Sequence, residues 1–250
     1  MINIKDQKQI KIMREGGEIL KKVMDALKEE VKPGISTEYL DELASQLIKK
    51  YDANPSFLNY QGYPKSICTS INNEVVHGIP SSNRILKEGD ILSLDIGIFY
   101  KGYHTDAALT LPVGNISEEN RKLINIAKNS LLSGLKKVKE GNRIGDISYE
   151  IQKSVEEKGY SVVKSCTGHG IGRDLHEDPA IPNFGKADYG PYLKEGMTLA
   201  IEPMVNEGDF QVQTDDDGWT IRTCDGKNSA HFEFTVLVLR KGYENLTPIS

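Results

Sequence analysis

Cysteine is scarce in this chain of 250 residues, which contains only three. Cys68, Cys166 and Cys224 are too few and too widely separated for a disulfide framework, which is typical of a reducing compartment. No apolar run approaches the roughly 18 residues that a membrane span requires. Residues 1–10 mix charged and polar residues with isoleucine and lack an apolar segment of signal-peptide length. We therefore expect a cytoplasmic protein with no membrane partner.

The chain also has no excess of basic residues over acidic ones. Lysine and arginine number 31 against 36 acidic residues, the net charge is -5, and both signs are interspersed along the chain. Proteins that hold nucleic acid through its phosphates need clustered basic side chains. We therefore expect no nucleic-acid partner. With 38% apolar and 27% charged residues, the composition is that of a globular protein able to bury most of its unfolded surface.

The chain repeats one of its own segments at an offset of 107 residues. Residues 86–95 read LKEGDILSLD and residues 193–202 read LKEGMTLAIE. Each copy is a Lys-Glu-Gly turn followed by an apolar strand that ends on a carboxylate, Asp95 in one and Glu202 in the other. A duplicated unit would bring one acid from each copy to a shared site.

A second pair of segments obeys the same offset. The sequence VKPG at 31–34 corresponds to VKEG at 138–141, and each follows a helical pattern. Because two unrelated stretches share one offset, we interpret residues 1–250 as a single domain with an internal repeat. The predicted halves are about 1–115 and 116–250.

Four helices are predicted from apolar residues that recur at spacings of three and four. The first runs from about 6 to 30 and ends before Pro33 and Gly34, and the second begins at Ser36 or Thr37, either of which suits an N-cap. The second half repeats this pair, with helices at 117–138 and 144–157. Two helices in each half agree with the repeat.

Residues 91–110 predict an antiparallel hairpin with its turn near Lys101 and Gly102. The alternating leucines and isoleucines of its first strand share one face, which leaves Asp95 on the other. Asp106 then lies opposite Asp95 or one diagonal step away. Two like charges so placed are destabilising, and a cation between them removes the repulsion.

Further strands are predicted at 160–166, 197–205, 219–224 and 231–239, and the glycine-rich segment 167–172 is predicted as a turn. Residues 52–85 are rich in Asn, Gly, Pro, Ser and Tyr, which indicates loops and short strands.

Four carboxylates fall on these otherwise apolar strands, and a histidine joins them from the glycine-rich turn. Burying each charge alone would cost several kcal/mol, so we predict a divalent cation among them. Oxygen ligands with one imidazole suit manganese, iron or cobalt better than a structural zinc. Bridging carboxylates could hold two ions about 3.5 to 4 Å apart around a water, which predicts a hydrolytic reaction. The five residues are Asp95, Asp106, His169, Glu202 and Glu233.

Two further histidines lie in loops marked by glycine or proline. A neutral imidazole at His77 or His176, near the metals, could donate to a substrate carbonyl or shuttle a proton. Cys68 has no neighbour that would depress its thiol pKa, so a packing role fits it better than that of a nucleophile. The GHGIG segment at 168–172 fails as a dinucleotide motif, because Arg173 replaces the last glycine.

With these residues in view, the sequence resembles type I methionine aminopeptidases essentially from end to end. The resemblance implies an α+β pita-bread fold, with two pseudo-symmetric αβ halves whose antiparallel sheets enclose a dinuclear metal site and whose helices lie outside. It implies a monomeric, single catalytic domain that removes the initiator methionine from nascent polypeptides when the second residue is small, with transient ribosome contact at most. The motifs are VVHGIP at 75–80, SLD at 93–95, HTD at 104–106, TGHGIG at 167–172, LHE at 175–177, AIEPM at 200–204 and Glu233.

The resemblance also implies roles for individual residues. It makes the five residues above ligands of two divalent ions (cobalt, manganese, iron or zinc), with Asp106 and Glu233 bridging. Glu202 would also act as the general base, His176 would steady the tetrahedral intermediate, and His77 would contact the peptide. The methionine side chain would enter a pocket whose aromatic and sulfur-bearing walls suit a thioether. These walls are Phe57, Tyr60, Tyr63, Cys68, Leu175 and Trp219.

The chain departs from the family pattern at two positions. Phe234 stands where the family usually has histidine, and alternation along the strand predicts that it points away from the metals. Leu175 stands where an aromatic residue is common, which predicts a slightly roomier pocket. Neither change removes a predicted ligand.

Two other functions remain open. A prolidase or X-Pro aminopeptidase relative would share the fold and metals, although such chains normally carry an additional N-terminal domain. A non-catalytic pita-bread protein that binds peptides or ribosomes typically loses metal ligands, whereas all five are present here.

Overall fold

The computed structural model describes residues 2–249. Over that range it contains four α-helices: α1 (Gln7–Glu30), α2 (Thr37–Lys50), α3 (Glu118–Leu135) and α4 (Ile144–Glu156). Side chains cap the first three, and the cap of the second is one of the two residues predicted for it. Asp6 accepts from the backbone of α1, Ser36 from α2 and Ser117 from α3. The predicted helix positions are therefore confirmed, with small differences at the ends.

Fifteen short or medium strands lie between and after the helices in the part of the chain that the structure describes. They are β1 (Asn54–Pro55), β2 (Cys68–Ile71), β3 (Glu74–Val76), β4 (Ile91–Tyr100), β5 (Tyr103–Pro112), β6 (Ser161–Val162), β7 (Thr167–Gly170), β8 (Glu177–Pro182), β9 (Thr198–Ile201), β10 (Met204–Asn206), β11 (Val212–Thr214), β12 (Ile221–Thr223), β13 (Ser229–His231), β14 (Glu233–Val238) and β15 (Tyr243–Asn245).

One antiparallel sheet carries strands from both halves. Its order is β1-β4-β5-β14-β9-β7-β8, with β2 also paired to β4 and β15 to β14. The halves meet where β5 of the first pairs with β14 of the second. Two smaller sheets, β13-β10-β6 and β11-β12-β3, lie beside it. Between residues 2 and 249, no helix is long and apolar enough to cross a membrane.

The β4–β5 hairpin has the predicted turn at Lys101 and Gly102. In its register Asp95 pairs with Ala108 and Asp106 pairs with Gly97, so the two acids are diagonal neighbours. The leucines and isoleucines at alternate positions of β4 are fully buried in the main hydrophobic cluster. The hairpin therefore buries one face and presents both acids on the other.

Glycine conformations repeat at the 107-residue offset. Gly34 and Gly141 have φ angles of 91° and 88°, and Gly89 and Gly196 have φ angles of 92° and 91°. A side chain at any of these positions would be strained, because positive φ favours glycine. The same turn therefore recurs in both halves.

Hydrogen bonding repeats as well. The isolated bridge between Ser36 and Ile85 recurs, 107 residues later, between Arg143 and Tyr192. In each half this bridge ties the start of the second helix to the residue just before the repeated Leu-Lys-Glu-Gly segment. The backbone thus agrees with the predicted repeat, and we propose that both halves belong to a single domain.

Two strand predictions in the second half were wrong. The strand expected at 160–166 is only β6, and the turn expected at 167–172 contains β7. A Cβ at Gly168 would lie 2.5 Å from the Ala200 oxygen, and one at Gly170 would lie 2.1 Å from the Asp178 oxygen. These glycines allow β7 to pack closely between β8 and β9, and close backbone approach cannot be distinguished from turn formation in sequence alone.

The strands expected at 197–205 and 231–239 are each interrupted. The first divides into β9 and β10 on either side of Glu202 and Pro203, and the second divides into β13 and β14 at Phe232. Proline has no N–H for a strand ladder, which accounts for the first break. Each break lies beside a predicted metal ligand, Glu202 in one case and Glu233 in the other.

Gly17 on α1 packs directly against the backbone of Leu246, and substitution of this glycine tests that contact. A Cβ there would lie 1.7 Å from the Leu246 carbonyl oxygen, whereas a Cβ at Gly16 would first meet Thr105 Oγ1 at 3.4 Å. We expect Gly17→Ala to destabilise the protein by about 1 to 3 kcal/mol through overpacking. The control Gly16→Ala should be neutral or stabilising by up to about 1 kcal/mol, since alanine favours helix. Urea unfolding would measure both, and equal effects would contradict the assigned contact.

Candidate metal centre and substrate cleft

A cleft lies over the middle of the large sheet. Gln61, which the sequence did not single out, contributes to its wall. Every residue predicted for the site also lines it. These are the five predicted metal ligands Asp95, Asp106, His169, Glu202 and Glu233, the histidines His77 and His176, and the predicted pocket residues Phe57, Tyr60, Tyr63, Cys68, Leu175 and Trp219.

Five adjacent strands bring the predicted ligands together. The sheet order β4-β5-β14-β9-β7 carries, in turn, Asp95, Asp106, Glu233, the end of β9 just before Glu202, and His169. Because strands pair about 4.8 Å apart, one residue from each can converge on a small volume. The first half supplies two of these side chains and the second half supplies three.

Thr235 fixes the junction between the halves. The Asp106 N–H donates to Thr235 Oγ1 at 2.9 Å, and that hydroxyl donates to the Asp106 carbonyl oxygen at 2.8 Å. Glu233 lies two residues before Thr235 and is 2% exposed. The hydroxyl therefore aligns β5 with β14 where both contribute a carboxylate.

The carboxylates are buried without enough compensating charge. Burial raises the pKa of Asp106 to about 7, and burial together with the neighbouring acids raises the pKa of Asp95, Glu202 and Glu233 well above the usual range. Asp95 Oδ1, Asp106 Oδ1 and Glu233 Oε1 are buried and find no hydrogen-bond donor among the described residues. Acceptor oxygens in such surroundings fit a bound cation.

His169 is held in the tautomer that suits a metal ligand. Its Nδ1 donates to the Gly170 carbonyl oxygen at 2.8 Å, which leaves Nε2 with a free lone pair. Burial lowers the pKa of His169 to about 3, so the ring is neutral near pH 7. Ligand atoms of Asp106, His169 and Glu233 all lie within 4.8 Å of one another. The donor set of carboxylates and one imidazole fits a hard or borderline divalent ion.

His176 lies at the opening of the cleft, beside the predicted ligands. Its ring is 4.3 Å from that of His169, centroid to centroid, and its Nδ1 is 2.7 Å from the Tyr60 hydroxyl. The next residue, Glu177, forms an ion pair with Lys5 at 2.6 Å, and both side chains are 4% exposed. This buried pair anchors the segment that carries His176.

His77 occupies an exposed position with a positive φ angle of 61°. The Thr69 N–H donates to the Gly78 carbonyl oxygen, and the Gly78 N–H donates to Ser70 Oγ. A non-glycine residue in this conformation costs about 1 to 3 kcal/mol unless its surroundings hold it. The flanking hydrogen bonds therefore fix His77 at the mouth of the cleft.

The remaining wall of the cleft is aromatic and apolar. The rings of Tyr63 and Trp219 meet edge to face at 5.2 Å, and the Tyr63 hydroxyl donates to backbone oxygens of Ile67 and Gly78. Burial, with Asp95 nearby, raises the pKa of the Cys68 thiol. Cys68 therefore stays protonated, which agrees with a packing role rather than that of a nucleophile.

Two residues near the ligands were not assigned a place in the site from sequence. Phe234 packs against the main hydrophobic cluster and does not line the cleft, as alternation along β14 predicts. His231 was not recognised at all. It is buried behind Glu202, with its Nε2 3.7 Å from Glu202 Oε2. Its position next to an apolar strand was the only signal available.

Buried carboxylates and a neutral histidine, gathered at the junction of two repeated halves, define a metal-dependent hydrolase of the pita-bread class. The model of metallopeptidase family M24 matches residues 11–240, and the chain belongs to this family.

Among the proteins similar to this chain, several carry a more specific name. The curated methionine aminopeptidase of Clostridium perfringens is 53% identical over 249 residues, which cover 100% of both chains. A solved methionine aminopeptidase from Rickettsia prowazekii is 40% identical, with a TM-score of 0.97, and the match covers 99% of this chain and 100% of that one. A Xaa-Pro dipeptidase from Bacillus anthracis is 25% identical with a TM-score of 0.80, and the match covers 99% of this chain but 62% of that one. The resemblance to methionine aminopeptidases and the pita-bread fold are confirmed.

The raised carboxyl pKa values predict how the metal-free protein responds to pH. Unfolded carboxyl groups ionise near pH 4, so above that pH the folded state holds more protons than the unfolded one. This stabilising contribution is complete below about pH 4. It is lost as pH rises through the pKa values of the folded carboxyl groups, and the pKa of Asp106 is about 7. We expect the unfolding temperature of chelator-treated protein to fall between about pH 7 and about pH 8, where unfolded histidine is already mostly neutral.

The variant Glu233→Gln serves as the control, because its amide has no proton to lose. Its unfolding temperature without metal should depend less on pH over the same range. A wild-type protein without metal that is equally stable at both pH values would contradict the burial of protonated carboxyl groups.

Proposed function

We propose that this chain is a methionine aminopeptidase, which hydrolyses the N-terminal methionine from nascent polypeptides and from peptides with a small second residue. One observation supports this above all: the carboxylate and histidine cluster shares a single cleft with an aromatic pocket that also contains a buried thiol. The pocket suits a flexible thioether, since sulfur contacts with aromatic rings contribute roughly 0.3 to 1.5 kcal/mol each. The cluster suits hydrolysis of the adjacent peptide bond.

The metal centre uses residues from both halves. The residues that would hold divalent ions are Asp95, Asp106, His169, Glu202 and Glu233, of which Asp106, His169 and Glu233 have ligand atoms within 4.8 Å of one another. Cobalt, manganese, iron and zinc all accept such donors. When bound, the ions lower the pKa of a water and polarise the carbonyl group under attack.

Three side chains carry the remaining steps. Glu202 accepts the proton of the attacking water, because its carboxylate lies at the cleft surface beside His169. If the Tyr60 hydroxyl donates to His176 Nδ1, then His176 Nε2 carries the hydrogen and faces the developing oxyanion as a donor. His77 contacts the peptide from the mouth of the cleft.

The proposed partners are the N-termini of nascent polypeptides, met in the cytoplasm by a monomeric enzyme with at most transient ribosome contact. The proposal of peptide N-termini as partners rests on the pocket, whose aromatic and apolar walls suit the side chain of a terminal methionine. No role in binding nucleic acid or membrane is proposed.

A peptide panel tests the substrate assignment. Protein reconstituted with manganese, cobalt or iron should release methionine from Met-Ala-Ser but not from Met-Leu-Ser, and should not cleave X-Pro substrates. Liquid chromatography of the products measures this. Cleavage of X-Pro peptides alone would favour a prolidase relative, and metal binding without any cleavage would favour a non-catalytic peptide-binding protein.

Removal of the proposed base gives a second test. We expect Glu202→Gln to lower kcat by at least about 100-fold, because the amide can neither accept a proton nor offer a carboxylate to the metal, while thermal unfolding of the metal-free variant stays close to that of wild type. The variant Glu207→Gln, changed at a solvent-accessible position after β10, is the matched control. Turnover by Glu202→Gln near the wild-type rate would refute the assigned role.

Loss of the Tyr60 hydroxyl tests the tautomer of His176. We expect Tyr60→Phe to lower kcat by about 10-fold with little change in KM, since the ring remains in the pocket while the hydrogen bond to Nδ1 is lost. Steady-state kinetics on Met-Ala-Ser measure both constants. A rise in KM alone would show that the hydroxyl binds the peptide instead.

A further inference from the structure

His231 is a buried polar residue that the proposed mechanism does not use. It ends β13, is 1% exposed, and neither ring nitrogen has a hydrogen-bond partner within residues 2–249. Leaving a buried polar group unpaired is destabilising, a penalty that an apolar residue would avoid. The position therefore calls for a partner close to the ring.

The nearest candidate is the carboxylate of Glu202. Its Oε2 lies 3.7 Å from His231 Nε2, while its other oxygen, Oε1, lies 3.5 Å from His169 Nε2. The carboxylate thus lies between two imidazoles. His169 belongs to the tight ligand cluster and lines the cleft, whereas His231 does neither. A role as a further metal ligand is therefore not supported for His231.

The backbone around His231 is firmly held. Its N–H donates to Thr110 Oγ1 at 2.9 Å, and the same hydroxyl lies 3.0 Å from its carbonyl oxygen. In the β10–β13 ladder His231 pairs with Met204, two residues after Glu202. Because both strands are anchored here, the ring is directed at the carboxylate by the fold rather than by a mobile loop.

We propose that His231 is a positioning residue whose Nε2–H donates to Glu202 Oε2, which holds Oε1 towards His169 and the metal centre. A movement of about 0.5 Å brings the two atoms within ordinary hydrogen-bond distance. The contact restricts rotation of the carboxylate and leaves the same oxygen facing the cleft in every turnover. The catalytic consequence rests on the proposed function, whereas the effect on metal binding does not.

Three variants separate the hydrogen bond from packing. His231→Gln keeps an N–H donor near the position of Nε2, His231→Asn keeps a polar amide that is one methylene too short, and His231→Leu keeps bulk without a donor. Each is purified without metal, and its thermal unfolding is recorded. Manganese affinity is then measured by calorimetry, and kcat and KM are measured on Met-Ala-Ser.

We expect His231→Leu and His231→Asn to bind manganese about 10 to 100-fold more weakly than wild type, as is usual when a residue that orients a metal ligand is lost. Their kcat should fall with KM unchanged, because His231 does not line the cleft. His231→Gln should recover most of both losses. A purely structural role would instead track the unfolding temperature across all three variants.

Two results would overturn the proposal: wild-type manganese affinity in His231→Leu, or a His231→Gln variant no better than His231→Leu. If wild-type protein releases no methionine while His231→Leu still loses affinity and His231→Gln regains it, the positioning role stands and the proposed function fails. The calorimetry therefore tests the two separately.

Discussion

The burial of four carboxylates side by side is the constraint on which the structure depends. Asp95, Asp106, Glu202 and Glu233 lie on or next to four adjacent strands, and repulsion between them would oppose folding if all were ionised. Most of the surrounding architecture can be understood from this. Strand pairing brings the acids together, the Thr235 hydroxyl keeps two strands in register, and a neutral His169 completes the set of donors. Protonation of the carboxyl groups relieves this repulsion in the metal-free protein, and a bound cation relieves it when the groups are ionised.

Features of the fold that depend on neighbouring residues could be predicted from the sequence, whereas those that depend on contacts between distant residues could not. Helix starts at Asp6, Ser36 and Ser117 were predictable because a capping side chain and an apolar period lie within a few residues of each other. The hairpin that carries Asp95 and Asp106 was predictable for the same reason. The place of β7 was not, since close packing of Gly168 against another strand leaves no local trace. His231 was missed because its partner, Glu202, lies 29 residues away along the chain.

The residues that line the cleft were easier to find in the sequence than the ends of the strands that carry them. Acids on apolar strands stand out in a sequence, and the 107-residue offset related two of them before any fold was known. Strand ends did not stand out, because β9 ends one residue before Glu202 and β14 begins at Glu233. A ligand at a strand boundary can leave the ladder and turn its side chain towards a shared point. The strand breaks beside Glu202 and Glu233 allow these side chains to converge, and a prediction based on regular alternation does not anticipate them.

The two ends of the described chain cross between the halves. Lys5 pairs with Glu177 and its N–H donates to the Gly196 carbonyl, both in the second half, while Leu246 packs on Gly17 of the first. Each half is thus contacted by an end segment that belongs to the other half. Separation of the halves would break both sets of end contacts and the pairing of β5 with β14. Because each end of the described chain contacts the other half, we expect the two halves to unfold in one cooperative event.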